Sequence, residues 1–202
     1  CFRCLTGFKW IADIINNKPE MNFMVGGEES YGYLIGDSVR DKDAVASAVM
    51  IAEMAAYAKA QGRTVLEQLE AIHREFGQYQ ERLISITKKG RSGAQEIADM
   101  MTALRNDPPK TLAGSPVVIA IDHSNSTQTD LLTGATTSTE LPASNVLQFI
   151  TEAGDKVSAR PSGTEPKIKF YFSVRTTTGE SHAATKEELE RKIDTFIEEL
   201  NL

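Results

Sequence analysis

The feature of this sequence that most limits its fold is a strict alternation of apolar and polar residues near the C-terminus. Between positions 167 and 175, every second side chain is large and apolar: Ile168, Phe170, Phe172 and Val174. Successive side chains of a strand point to opposite faces, so this spacing predicts a strand with one buried face and one polar face. A strand of this kind is typical of an antiparallel sheet that is covered on one side only.

The residues around this strand predict further strands of the same sheet and helices that pack against it. Residues 145–151 and 156–159 are expected to form further antiparallel strands, and residues 124–139, rich in Ser and Thr, a polar loop or exposed hairpin. Ser92 and Gln95 have the spacing of a capping box that opens a helix ending at Asn106. Residues 77–202 are therefore predicted to be an α+β domain with an antiparallel sheet packed by helices.

The N-terminal part of the chain alternates helix and strand signals instead. Thr6 is expected to cap a first helix, and the apolar run 21–25 has the character of a buried strand that leads into a Gly-Gly loop. An Ala-rich helix is predicted over 41–61, and Thr64 and Glu67 form a second capping box. This alternation of strand and helix signals favours an α/β layer. Residues 1–76 are therefore predicted to be the remnant of a mixed-sheet domain, and the domain boundary is predicted at Gly77.

Composition excludes several classes of protein. The 202 residues are 41% hydrophobic and 25% charged, which is ordinary for a globular chain and unlike a disordered one. The net charge of −6 argues against a nucleic-acid partner, and no uncharged apolar run approaches the ~20 residues that cross a membrane. Cys1 and Cys4 are too few for a disulfide framework, which indicates a reducing, cytoplasmic setting. Because the chain opens on Cys1, we expect it to be a piece of a longer protein.

The segment 160–169, which reads RPSGTEPKIK, contains the densest group of potential anion ligands. Arg160 offers a bidentate fork, Ser162 and Thr164 offer hydroxyls, and Gly163 lets the backbone approach a ligand closely. Pro-Ser-Gly-Thr is also ordinary turn material, so a solvated hairpin turn is the alternative.

Two acidic segments in the N-terminal part are open to more than one interpretation. The predicted strand is followed by Glu28, Glu29 and Ser30. These side chains could bind sugar hydroxyls, ligate a metal or supply a general acid. The alternative is that they are solvated loop residues. The pair Asp41 and Asp43 resembles a D-x-D metal motif. Its position just before a long helix favours helix capping over metal binding.

Taken together, four segments resemble the α-D-phosphohexomutase family of phosphoglucomutases and phosphomannomutases. Thr6-Gly7-Phe8-Lys9 is similar to the T-G-[WF]-K segment of the family's third domain, and Gly27-Glu28-Glu29-Ser30 is similar to its sugar-recognition loop. Arg40-Asp41-Lys42-Asp43 resembles the segment that follows that loop. The fourth segment matches the R-x-S-G-T-x-P phosphate loop of the family's fourth domain and consists of Arg160-Pro161-Ser162-Gly163-Thr164-Glu165-Pro166. The resemblance assigns residues 1–76 to part of the third domain and residues 77–202 to the fourth.

The resemblance also implies a reaction. Family members interconvert hexose 1-phosphate and hexose 6-phosphate through a phosphoserine and a bisphosphorylated sugar of the glucose 1,6-bisphosphate type, supported by magnesium. By carry-over, Glu28 and Ser30 would contact sugar hydroxyls, and Lys9 would lie near the cleft. The phosphate that is not being transferred would be held by Arg160, Ser162, Gly163 and Thr164.

Two family motifs are absent from the 202 residues. No serine has the S-H-N-P context of the phosphorylated nucleophile, and no D-G-D-x-D-R metal loop is present. The chain alone is therefore expected to bind a sugar phosphate without catalysis, with its catalytic serine and magnesium ligands in upstream domains of the same parent. Tyr31-Gly32-Tyr33 replaces the Gly-His pair of many relatives and favours the longer phosphoglucomutase and phosphopentomutase branch. The alternatives are a phosphopentomutase-type parent and a non-catalytic phosphosugar-binding module.

Overall fold

A computed structural model shows two compact units, Cys1–Glu70 and Ala71–Leu202. It describes residues 1–2, 4–28, 31–88, 90–176 and 182–202, without the side chains of residues 91 and 182–184.

The first unit contains a short hairpin and three helices. Its elements are α1 (Phe8–Asn17), β1 (Val25–Gly27), β2 (Tyr33–Ile35), α2 (Ala44–Ala60) and α3 (Val65–Phe76), of which α3 continues into the second unit. Strands β1 and β2 pair antiparallel. A small core of Phe8, Ile11 and Leu34 joins α1 to the hairpin.

Two local predictions for this unit were wrong. Gly7, with φ of 125°, occupies the N-cap position of α1 that was expected for Thr6, because the chain enters the helix with a backbone conformation that glycine adopts without strain. The buried strand expected over 21–25 is β1, and it begins only at Val25. Met21 and Met24 precede it and are 52% and 78% exposed, since the three-residue hairpin ladder does not reach them.

Both long helices of the first unit are capped where the sequence predicts, and α2 begins at Ala44, three residues after the predicted start at 41. Asp43 caps α2 by accepting from the N–H groups of Val45 and Ala46 at 2.9 and 3.1 Å. Gly62 follows the helix with a φ of 71°. Thr64 and Glu67 form the capping box of α3, with the Glu67 N–H donating to Thr64 Oγ1 at 3.2 Å and the Thr64 N–H donating to Glu67 Oε2 at 2.7 Å.

The second unit is an antiparallel sheet with one helical layer. The described residues form an eight-stranded sheet in the order β3-β10-β9-β8-β5-β6-β7, with β4 paired to β5 at its side. Its strands are β3 (Gln78–Thr87), β4 (Thr111–Leu112), β5 (Ser115–Asp122), β6 (Thr127–Asp130), β7 (Thr136–Ser138), β8 (Leu147–Thr151), β9 (Lys156–Pro161) and β10 (Lys167–Thr176). Its helices are α4 (Gly90–Asn106) and α5 (His182–Glu199).

The core of the second unit lies between the sheet and these two helices. The alternating residues of β10 are at most 1% exposed and pack against Ile97 and Met101 of α4 and against Leu189, Ile193 and Phe196 of α5. The polar residues of β10 consequently lie on the opposite face of the sheet. The hairpin β6–β7 occupies the Ser- and Thr-rich stretch, as expected.

Helix α4 begins at Gly90, so the predicted capping box of Ser92 and Gln95 was wrong. Gly90 has a φ of 81°, which lets the chain turn directly into the helix and places Ser92 inside its first turn. No helix in the described part of the chain is both long and apolar enough to cross a membrane. The α/β first unit and the antiparallel α+β second unit agree with the fold class expected from the sequence.

Candidate functional site

The loop between β9 and β10 is organised by the hydroxyl of Ser162. Ser162 Oγ accepts from the N–H groups of Thr164 and Glu165 at 3.3 and 3.2 Å. The ends of the loop are joined by the Ser162 N–H, which donates to the Lys167 carbonyl at 2.7 Å. A turn with these internal bonds is formed before any ligand arrives, so binding would cost little ordering of the loop.

Several donors of the same loop have no partner in the described part of the chain. The guanidinium of Arg160 is exposed and forms no ion pair or side-chain hydrogen bond there, and the N–H of Gly163 is also unpaired. Thr164 Oγ1 has only a long 3.5 Å contact to Ser162 Oγ. An Arg fork, a backbone N–H and a hydroxyl, all on one turn, are the kinds of donor that a phosphate group requires.

A cavity of about 430 Å³ lies between this loop and α4. Ala94, Ile97, Ala98 and Met101 of α4 form one wall, and the loop residues from Arg160 to Gly163 contribute to the other. Ser144 and Asn145, which precede β8, and Glu165 and Pro166 of the loop complete the lining. The size is within the range of about 300–1,000 Å³ for small-molecule sites.

The residues around the start of α4 contact the loop through its last residues. The N–H of Lys88, just after β3, donates to the carbonyl of Pro166 at 2.9 Å. Gly93 faces Lys88 so closely that a Cβ there would lie 2.5 Å from the Lys88 carbonyl oxygen. Neither Lys88 nor Gly93 is recognisable from the sequence as a support of the loop, where the one available signal is a glycine inside a predicted helix.

An ion pair between Arg105 and Asp122 lies next to Asn145, one of the residues that line the cavity. Arg105 Nε of α4 lies 2.9 Å from Asp122 Oδ2, and Arg105 Nη2 donates to the side-chain oxygen of Asn145 at 2.5 Å. Burial raises the pKa of Asp122, but hydrogen bonds from Ser124 and Arg105 outweigh it and hold this pKa below its ordinary value. Asn145 is thereby fixed at the cavity by a charged network that the sequence did not reveal.

In the first unit, Glu28 connects two of the predicted site segments. Its Oε1 accepts from the N–H of Gly7 at 2.5 Å, so the carboxylate lies at the N-terminus of α1, where the helix dipole favours a negative charge. Burial and the charge of Glu28 raise the pKa of the Cys4 thiol. Lys9 of the same segment extends over the ring of Trp10, with Nζ 4.9 Å from the ring centroid. Ser30 and Glu29 lie outside the described residues.

The acidic segment before α2 packs against the same hairpin. The N–H of Asp43 donates to the carbonyl of Tyr33 at 2.8 Å, and Nζ of Lys42 lies 5.6 Å from the ring centroid of Phe8. Asp41 pairs with Lys42, whose hydrogen bonds lower the pKa of Asp41. Both carboxylates are therefore used within the segment. No group of three or more His, Cys, Asp or Glu side chains that could hold a metal occurs among the described residues.

The chain is similar in sequence to a known protein family and to individual members of it. Residues 1–76 match the family described as phosphoglucomutase/phosphomannomutase, alpha/beta/alpha domain III. Phosphoglucomutases of Staphylococcus epidermidis and Staphylococcus aureus are 40% and 38% identical over 171 and 172 residues, which cover 84% and 85% of this chain and 31% of theirs.

A solved structure shows the same fold. The open form of the Paramecium exocytosis-sensitive phosphoprotein pp63/parafusin, titled a phosphoglucomutase, superposes with a TM-score of 0.64 at 18% identity, over 97% of this chain and 33% of that one. The chain thus spans about a third of the length of these relatives. The matching domain, the sequence identity and the shared fold agree with one another: residues 1–76 match domain III of the phosphoglucomutase/phosphomannomutase family, and the chain is similar to a part of the phosphoglucomutases.

Proposed function

We propose that this chain is part of an enzyme that interconverts hexose 1-phosphate and hexose 6-phosphate, and that its loop from Arg160 to Lys167 holds the phosphate that is not being transferred. The observation that supports this role is that some polar groups of the loop bond to one another while its other donors are left unpaired. Ser162 Oγ and the Thr164 and Glu165 N–H groups fix its shape, while Arg160, the Gly163 N–H and Thr164 Oγ1 stay available. A preformed turn with free donors suits a ligand that must be released and bound again during catalysis.

The first unit is proposed to bind the sugar. Glu28 is anchored through one carboxylate oxygen to Gly7, so its other oxygen is the one that would accept from a sugar hydroxyl. Ser30 is proposed as a second sugar contact and Lys9 as an electrostatic contact near the cleft. We assign residues 1–76 to part of the third domain and residues 77–202 to the fourth domain of such an enzyme.

The chain alone is proposed to bind without catalysing the transfer. The 202 residues include neither the S-H-N-P serine nor the aspartate loop of the family, so the phosphoserine and the magnesium ligands of the parent would lie in other domains. The residues described here do not fit a magnesium site, and no step of the reaction is assigned to a metal through them. A cytoplasmic location is proposed on the basis of phosphorylated sugar substrates and the two free cysteines.

Titration of the chain with glucose 1,6-bisphosphate and with inorganic phosphate, followed by amide-resolved NMR, tests this function. We expect amide shifts across 160–167 with both ligands and their loss in Arg160→Ala. Further shifts near Gly27 and Gly32 with the bisphosphate alone would support the sugar site. Stronger binding of ribose 1,5-bisphosphate would favour the phosphopentomutase-type parent. No shift at millimolar ligand would contradict phosphate binding by this loop.

A further inference from the structure

We propose that strand β3 is a self-association surface, through which two copies of this chain pair edge to edge with Leu83 of one copy directly opposite Leu83 of the other. Strand β3 lies at one end of the eight-stranded sheet, and β10 is the only strand among the described residues that pairs with it. A strand at the edge of a sheet presents a row of unpaired N–H and C=O groups that another strand can bind.

The free backbone groups of β3 belong to its odd-numbered residues. The N–H of Lys88, just after β3, donates to the carbonyl of Pro166 in the direction of β10. Backbone groups of successive residues point to opposite sides of a strand, so those of the odd-numbered residues from 79 to 87 point away from β10. In the described part of the chain these outward groups have a single contact, in which Gln80 Nε2 donates to the Glu81 carbonyl at 3.5 Å. A second strand therefore finds hydrogen-bonding groups along the whole length of β3.

Strand β3 lacks the features that usually protect a sheet edge from pairing. It is ten residues long, contains no proline and follows β10 in one register without a bulge. The strand at the other end of the sheet, β7, has only three residues, all of them Ser or Thr. On the face of β3 that points away from the helical core, Tyr79 and Leu83 are 52% and 50% exposed. Pairing at this edge would thus cover apolar side chains as well as backbone groups.

The sequence of β3 selects one register for pairing with a second copy. Directly opposite residues lie on the same face of a sheet, so the two-fold axis of an antiparallel pair must pass through a residue. The two positions nearest the middle of the strand are Arg82 and Leu83, and an axis farther away shortens the overlap. An axis at Arg82 would place two arginines directly opposite each other, which is destabilising. An axis at Leu83 places two leucines there and overlaps residues 79–87 of both copies.

This register also makes the edge self-complementary in charge. Glu81 lies opposite Ser85, which is uncharged, and Arg82 lies opposite Ile84. Arg82 is already paired within its own chain, with Glu190 and Asp194 of α5. A two-fold interface requires a surface that is complementary to itself. Because β3 meets this requirement without an unpaired like charge at any opposite position, we assign a second copy of this chain as its partner.

Analytical ultracentrifugation of the 202-residue chain over a range of concentrations tests the association. We expect a reversible equilibrium between monomer and dimer in the parent chain. Leu83→Lys places two like charges opposite each other at the axis and should weaken the dimer Kd about tenfold or more. Leu132→Lys is the matched control, because Leu132 is an exposed leucine of the same unit in the turn between β6 and β7, and its Kd should equal that of the parent. Circular dichroism checks that both variants are folded.

An intermolecular disulfide tests the register. Opposite residues of a hydrogen-bonded antiparallel pair have Cα atoms about 5.5 Å apart, which is within the range of a disulfide. In a chain with Cys1→Ser and Cys4→Ser, Leu83→Cys should form a covalent dimer with oxidised glutathione, as two thiols are oxidised to one disulfide and the glutathione disulfide is reduced to two thiols. Ser85→Cys should not, because this register separates the two copies of residue 85 by four positions, about 13 Å along the strand.

Three results would overturn the inference. The first is a parent chain that stays monomeric at every concentration. The second is a dimer that persists in Leu83→Lys and is lost in Val49→Lys, which would place the interface on α2, where Val49 is 63% exposed. The third is a covalent dimer of Ser85→Cys in place of Leu83→Cys, which would exclude an axis at Leu83.

Discussion

Nζ of Lys192 on α5 lies 2.5 Å from Oδ2 of Asp155, a carboxylate in the turn between β8 and β9 that is completely buried. Asp155 Oδ1 accepts from the N–H of Arg175 at 3.0 Å, so the same carboxylate joins α5 to β10. The pair holds the helical layer on the two strands that carry the phosphate loop. Removing one member of a buried pair leaves an uncompensated charge in the interior.

Lys192→Met should therefore lower the free energy of unfolding by about 3–5 kcal/mol. Lys186→Met is the matched control, because Lys186 is an exposed lysine on the same helix, and we expect it to change stability by less than about 0.5 kcal/mol. Urea denaturation followed by circular dichroism measures both. Equal stability of the two variants would show that the ion pair contributes little.

Removal of the Ser162 hydroxyl should loosen the phosphate loop. Ser162→Ala leaves the N–H groups of Thr164 and Glu165 without their acceptor, so we expect faster hydrogen exchange at these two amides and a stability loss of about 1 kcal/mol. Ser173→Ala, on β10 and away from the loop, is the control. Unchanged exchange at both amides would contradict the assigned role of Ser162 as the organiser of the turn.

Glycine at position 93 should be required for the shape of the loop. A methyl group there would lie 2.5 Å from the Lys88 carbonyl oxygen, and Lys88 must then move away from Pro166, to which its N–H donates. We expect Gly93→Ala to cost about 1–3 kcal/mol of stability and to weaken phosphate binding.

Ser92→Ala provides the comparison for this variant. Since α4 begins at Gly90, Ser92 lies within the helix, and the substitution should change stability by no more than about 0.5 kcal/mol. A loss of about 1 kcal/mol in Ser92→Ala would instead indicate that Ser92 is a helix cap.

Sequence periodicity predicted the second unit well because its strands are half buried. The alternation from Ile168 to Val174 determines which face of β10 meets the helices, and the structure follows it residue by residue. The first unit was less predictable, because β1 is a three-residue strand in a two-stranded hairpin and its flanking methionines stay exposed. An apolar run alone does not determine whether other residues cover it.

The loop residues of the candidate site were predictable from their chemistry, but their supports were not. Arg160, Ser162 and Thr164 are polar groups on a short turn, which the sequence shows directly. Arg105 and Asn145 are 40 residues apart and meet only through tertiary structure. His123 directly precedes the Ser- and Thr-rich stretch, yet it is 4% exposed and contacts Gln148 at 3.3 Å, next to the paired ends of β5 and β8.

Asp43 should act as a helix cap and not as a metal ligand. Its side chain accepts from two N–H groups at the start of α2. Since Asn caps helices about as well as Asp, Asp43→Asn should retain stability while Asp43→Ala loses about 1 kcal/mol. Thermal unfolding with and without 5 mM MgCl₂ measures both effects. Magnesium-dependent stabilisation that disappears in Asp43→Asn would support the metal interpretation instead.

The ion pair of Arg105 and Asp122 should make stability depend on pH in the acid range. The pKa of Asp122 is lowered in the folded chain, so its carboxylate stabilises the fold above its unfolded pKa of about 4, and this contribution is lost as pH falls through the folded pKa. Asp122→Asn should therefore reduce stability at pH 7 and flatten the decline of the unfolding free energy below pH 4. Asp107→Asn, at an exposed aspartate just after α4, should retain the parent profile. Chemical denaturation from pH 7 to pH 2 tests this, and parallel curves for Asp122→Asn and the parent chain would show that another carboxylate produces the acid sensitivity.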